Sequence, residues 1–264
     1  MKILKVKSKK EREMKQERVV EVCCGSYYDA IQAYNGGAKR IELNSALFLG
    51  GLTPSTATLR MVRKECPSLQ IIAMVRPRGA GFCYSEEECS VMEEEAKELL
   101  EIGADGIAFG FLDKKGNIQK ELTGKFVALI HSYGKEAVFH RAFDCVNDPD
   151  ESLQKLIELK VDRVLTSGLS PTAIEGVKKI AFLQKKYGEK IQILAGSGIN
   201  EKNAGKLIED TGIFQVHSSC KEWKEDPTTI KNGVSYGYTK NPGETMYDVV
   251  SEDLVKKLIM AVEK

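Results

Sequence analysis

The chain has 264 residues, 42% of them apolar and 29% charged, with a formal net charge of +1. That length can bury the core of one large domain. The charge balance offers no bulk attraction to nucleic acid or an acidic membrane, and no apolar run nears the ~20 residues that span a bilayer. Neither nucleic acid nor membrane is therefore expected as a partner.

Residues 1–18, MKILKVKSKKEREMKQER, interleave charges without an apolar stretch, so no secretory signal is expected. They read as a charged, solvated N-terminal arm, the alternative being a weak amphipathic helix laid on a partner. Residues 19–264 follow as a single domain. From Val19 onward, short β-rich runs alternate with amphipathic segments. The runs are VVEVCC, AKRIEL, QIIAMV, DGIAFG, EAVFH, VDRVLTS, IQILAG and IFQVH. Runs this apolar suit strands buried on both faces, as in a parallel sheet. Helices are expected at 27–34, 55–65, 86–102, 123–133, 149–159, 171–187, 201–210 and 251–262. Glycines in NGGAKRIEL, EIGADGIAF and DTGIFQV suit the left-handed position after a helix, and Pro149 and Pro171 suit a first helical turn.

Strand starts recur every ~20 to 35 residues, the length of a strand and crossover helix. Eight such units predict an α/β fold, a single-domain (β/α)8 TIM barrel. The rival, a doubly wound open sheet, would want a Gly-x-Gly-x-x-Gly turn after its first strand, where CCGSYYDA stands. The stretch 218–245 after strand eight reads as a long irregular loop over the barrel mouth.

In such a barrel the C-terminal strand ends face the functional mouth, and alternate residues point inward. Strand one then offers Glu21 and Cys23, strand two Glu42 and Asn44, and strand three Arg76 and Arg78. Strand five ends in His140 and Arg141 with Asp144 just beyond, and strand eight in His217 and Ser218. Isolated buried charge is costly, so these groups should pair with one another or with a ligand. A structural salt-bridge network explains Glu21 and Glu42 about as well as catalysis does; gathering at the mouth favours a ligand site. Glu21, Glu42, Arg76, His140 and Arg141 are the candidate catalytic groups. Gly196, Ser197 and Gly198 with Ser218 resemble the anion-binding loops found after strands seven and eight of these barrels, although Gly-Ser-Gly is also an ordinary tight turn. Arg78, Asp144 and His217 complete that candidate binding set.

Seven cysteines, an odd number without regular spacing, argue against a disulfide framework and for a reducing cytoplasm. Cys23 and Cys24 are adjacent on a strand, so their side chains should point to opposite faces. No zinc-type spacing is present. Cys83, Cys145 and Cys220 fall in loops expected at the mouth, where thiolate would suit Cu(I), although idle thiols are the commoner case.

Together EVCCGS, GGAKRIELNSALFLGGLTPS, VRPRGAGFCYSEEE, FHRAFD, RVLTSG and VHSS, in that order, resemble the CutC family, the copper homeostasis proteins. The resemblance runs from about Val19 to Ser219. It implies a cytoplasmic (β/α)8 barrel, commonly a homo-oligomer, linked to copper. It also implies a metal-binding role for Cys23, and many family members place a second cysteine where this chain has Asn44. An amide is a poor ligand for a soft ion, so Cu(I) here would need Cys23 with Cys83, Cys145 or a histidine.

Two functions follow. One is copper homeostasis through Cu(I) held by Cys23. The other is a TIM-barrel enzyme or binder for a small phosphorylated or carboxylated metabolite, with isomerase- or aldolase-like acid–base chemistry. No lysine stands at a predicted strand end, which weakens Schiff-base chemistry.

Overall fold

The structure, a computed structural model, describes residues 17–263. Most of the expected arm therefore lies outside the described residues. Eight parallel strands close into a barrel in sequence order: β1 (Val19–Cys24), β2 (Arg40–Leu43), β3 (Gln70–Met74), β4 (Gly106–Phe109), β5 (Glu136–Phe139), β6 (Arg163–Thr166), β7 (Gln192–Ala195) and β8 (Gln215–Ser218). The crossovers are α1 (Tyr27–Asn35), α2 (Thr56–Glu65), α3 (Glu86–Ile102), α4 (Lys120–Ser132), α5 (Pro149–Glu158), α6 (Val177–Tyr187) and α7 (Ala204–Thr211), with α8 (Glu252–Glu263) last. The (β/α)8 TIM barrel expected from the sequence is what forms.

Local chemistry explains the boundaries. Ser85 and Glu88 form a reciprocal capping box at the start of α3, and Gly103 ends it at φ +112°. Asp148 caps α5 ahead of Pro149, accepting from the amides of Asp150 and Glu151. Helix α6 starts at Val177 rather than Pro171. The chain first folds in turns that lay Gly176 on the Ser167 carbonyl, where a Cβ would stand 1.9 Å from the oxygen. Helix α7 starts at Ala204 because Asn200 and Asn203 turn the chain with their own side chains.

The strands alternate. Outward positions such as Val22, Ile41, Ile71, Ile107, Phe139 and Val164 pack under the helices in the main core. Inward positions divide the barrel interior in two. Ile72, Met74, Ala108 and Val138, from β3 to β5, form a small apolar cluster of their own. The other half, from β1, β2, β6 and β8, is polar and contains Glu21, Arg40, Glu42, Arg163 and His217, all buried.

The stretch 218–245 is not an irregular loop. Strand β9 (Lys221–Glu225) pairs antiparallel with β12 (Met246–Val250), and β10 (Ile230–Lys231) with β11 (Val234–Ser235). The sequence KEWKE has no apolar alternation, and its partner lies about twenty residues away. Pairing across that distance, rather than local pattern, makes it a strand.

Candidate functional site

Register builds the site. Strand β1 aligns with β2 so that Glu21 stands beside Arg40 and Cys23 beside Glu42, and with β8 so that Glu21 stands beside His217. The Glu21 carboxylate meets Arg40 Nε at 2.7 Å, His217 Nδ1 at 2.8 Å and Arg163 Nη1 at 3.7 Å. Arg163 reaches Glu136 at 2.7 Å, and Arg40 donates to Gln215 at 2.6 Å. Gln192 accepts from both Arg163 and Gln215, which ties β6, β7 and β8 together. This is the structural salt-bridge network weighed above. Glu21 is 1% exposed and does not line the cavity; it lies beneath the site, in contact with His217. Burial pushes its pKa up, but Arg40, His217 and Arg163 outweigh that and bring it down to about 2.

Above this floor sit Cys23, Glu42 and His217, each offering one donor atom, all within 4.8 Å of one another. His217 Nε2 is 4.0 Å from Glu42 Oε2, and the Cys23 thiol points at the same oxygen from 3.8 Å. Asn44 Nδ2 donates to Glu42 Oε2 at 3.0 Å and approaches Cys23 Sγ at 3.5 Å. Burial opposes charge on His217, yet Cys23, Glu21 and Glu42 outweigh it and hold its pKa well above the usual value. Burial raises the Cys23 pKa and, with the Glu21 charge adding, that of Glu42. The Glu21–His217 contact fixes the ring so that Nε2 faces Cys23 and Glu42, the arrangement that orients a metal-ligating histidine. As expected for neighbours on a strand, Cys24 faces the other way and is fully buried in the main core.

The three donors form one wall of a mouth cavity of about 520 Å³. Arg76, His140, Arg141, Asp144 and Ser197 also line it, with Phe82 and Cys145. Arg76 is engaged as a clamp: it donates to the carbonyls of Leu49, Gly51 and Ala80 at 2.9, 3.0 and 2.7 Å, joining the loops after β2 and β3. Asp144, in a 3-10 turn at Arg141–Cys145, is a hub. It accepts from Arg141 Nε at 2.8 Å, Thr166 Oγ1 at 2.5 Å, and the amides of Ser167 and Leu169 at 3.0 and 3.1 Å. Replacing Asp144 by alanine strands several buried donors at once and should cost about 3 kcal/mol in urea unfolding. A loss under about 0.5 kcal/mol would show that the turn holds itself together.

Several expected residues have their polar groups engaged elsewhere. Arg78 pairs with Glu88 at the start of α3 and lies over the Tyr84 ring, so its charge is not offered to the mouth. Ser197 Oγ donates to the Pro171 carbonyl at 2.8 Å and Ser218 Oγ to that of Ile199 at 2.6 Å. Both hydroxyls of the expected anion loop are thus committed to backbone. A Cβ on Gly196 would come within 2.7 Å of the Leu165 side chain, which would have to shift; Gly198 adopts φ +72° against Thr172. Cys83 and Cys220 do not line the cavity, and burial first of all lifts the Cys220 pKa to about 11.

Some groups escaped the sequence reading. Arg40 and Arg163 are inward-facing, and Arg40 stands two residues before Glu42, so strict period-2 reading of AKRIEL would have found it. Lys221 and Asp248 reach the cavity from β9 and β12, paired at 3.0 Å. They became visible only once that sheet was placed.

An eight-stranded barrel with a thiol, a carboxylate and an oriented imidazole at its mouth defines a TIM-barrel protein able to hold a metal ion. The comparisons with known proteins narrow this. The CutC family model matches residues 18–222. A CutC family protein of Treponema denticola is 46% identical over 244 residues, 92% of this chain and 98% of that protein. The copper homeostasis protein cutC homolog of Homo sapiens is 36% identical, over 91% of this chain and 87% of its own length. The crystal structure of a CutC protein from Streptococcus agalactiae superposes with a TM-score of 0.72 at 28% identity, over 76% of this chain and 98% of that one. This chain belongs to the CutC family.

Proposed function

We propose that the protein acts in copper homeostasis by binding Cu(I) at the barrel mouth through Cys23 Sγ and His217 Nε2, each releasing its proton to solvent as the ion binds. The observation that carries this reading is the convergence of Cys23, Glu42 and His217 within 4.8 Å. Thiolate and imidazole suit a soft or borderline ion, and the thiolate balances the single charge of Cu(I). Histidine thus supplies the second ligand that Asn44 cannot. Relatives from mouse and human named as copper homeostasis protein cutC homologs also point to copper. All seven cysteines are free thiols, which suits a reducing cytoplasm, and the family resemblance adds self-association into a homo-oligomer. No described helix is long and apolar enough to cross a membrane.

Anaerobic titration of Cu(I) against a competing chromogenic chelator tests the site. The wild type should take one ion per chain. Cys23→Ser should bind it at least about 100-fold more weakly, since the soft ligand is lost. Equal affinities would remove Cys23, and with it this reading.

A second reading, a site for a small phosphorylated or carboxylated metabolite, is supported by the cavity itself. About 520 Å³ far exceeds the needs of one ion and falls within the size of small-molecule pockets.

A further inference from the structure

His140, at the end of β5, is 3% exposed and lines the cavity. Its Nδ1 accepts the Ala142 amide at 3.1 Å. A neutral imidazole accepting at Nδ1 carries its proton on Nε2. That Nε2 has no hydrogen-bond partner among the described residues. The Nδ1–Cε1 edge of the ring lies against Gly110, where a Cβ would stand 2.6 Å from Cε1 and 2.8 Å from Nδ1, and Phe82 packs on the ring at 5.0 Å between centroids. With the Nδ1–Cε1 edge on Gly110, the residue meets the cavity by its other side, where Nε2 is itself covered. A buried donor without an acceptor is expensive, and a guest that supplies one relieves that cost.

Resting on the metabolite reading, we infer that this guest is a small organic carboxylate, one oxygen of which accepts from His140 Nε2–H beside the guanidinium of Arg76. Charge selects the class. Arg141 and Lys221 already face Asp144 and Asp248 at 2.8 and 3.0 Å. Arg76 bonds only to carbonyls through its terminal nitrogens and lies over the same Phe82 ring, 5.2 Å from its centroid. One fixed donor and one uncompensated cation match a single negative charge. A phosphate dianion would want the hydroxyls of Ser197 and Ser218 and the charge of Arg78, all committed elsewhere, and would meet Glu42 on the opposite wall. Burial, and after it the charge of Arg76, pushes the His140 pKa down to about 3. The ring is therefore neutral near pH 7. It serves as a hydrogen-bond donor and not as the proton-transferring acid–base suggested by the sequence.

The test uses two probe panels, mono- and dicarboxylates of two to six carbons and a set of phosphosugars. Calorimetry follows their binding to the full chain and to His140→Phe, which keeps a ring and removes the donor. At least one carboxylate should bind with Kd below about 1 mM. His140→Phe should weaken it by about tenfold or more, the worth of one hydrogen bond to a charged acceptor, while Cu(I) affinity stays unchanged. Should that variant not fold, the ¹⁵N resonance of His140 Nε2 in the wild type decides, since a bound carboxylate must shift it. Carboxylates that bind without moving that resonance, or with equal affinity in both proteins, overturn the inference, as does preference for phosphosugars. Binding by neither panel overturns the metabolite reading itself.

Discussion

Glu21→Gln should lower stability by about 3–5 kcal/mol, because it leaves buried cations without their shared counter-charge. Three groups depend on this carboxylate. Arg163 keeps Glu136, but Arg40 keeps only the neutral Gln215, and His217 loses the partner that holds its ring. In thermal unfolding the melting temperature should fall by on the order of 10 °C. The effect should also depend on pH. A carboxyl depressed from 4.5 to about 2 contributes stability that is fully present above 4.5 and is lost as pH falls through 2. The unfolded chain takes up the proton first. The gap between wild type and variant should therefore close between these values. His217 works the other way: its raised pKa contributes stability present below 6.5 and lost as pH climbs through the higher folded value. A variant within about 1 kcal/mol of wild type at neutral pH would mean that the floor is hydrated and its charges screened.

Asn44→Cys should raise Cu(I) affinity by about 100-fold or more, by adding a second thiolate. The side chain at this position already stands beside the first, Asn44 Nδ2 being 3.5 Å from Cys23 Sγ. Cysteine is smaller than asparagine, so the exchange adds no bulk beside Gly51, where the Asn44 side chain lies. The lost hydrogen bond to Glu42 should cost about 1 kcal/mol of stability. The same chelator competition reads the outcome. Unchanged affinity would place the ion away from the β1–β2 edge and leave Cys23 without its proposed role.

Alternation along single strands was legible in the residues themselves. Glu21 and Cys23 had to share a face and Cys24 had to take the other, because side chains alternate strictly along any strand; by the same rule Glu42 had to share a face with Arg40. Glycines after helices and the spacing of apolar runs carried the barrel for the same reason: each is a local property of the backbone. What lies across strands was not legible. Whether Glu21 meets Arg40 or stands exposed depends on register, and register comes from closing all eight strands together. The committed donors of Arg78, Ser197 and Ser218 depend on where neighbouring loops come to rest. The unmatched proton of His140 depends on Ala142 and on a glycine one strand away. Residue type thus determined which groups could do chemistry in this protein, and tertiary packing alone decided which were already satisfied and which were left without a partner among the described residues.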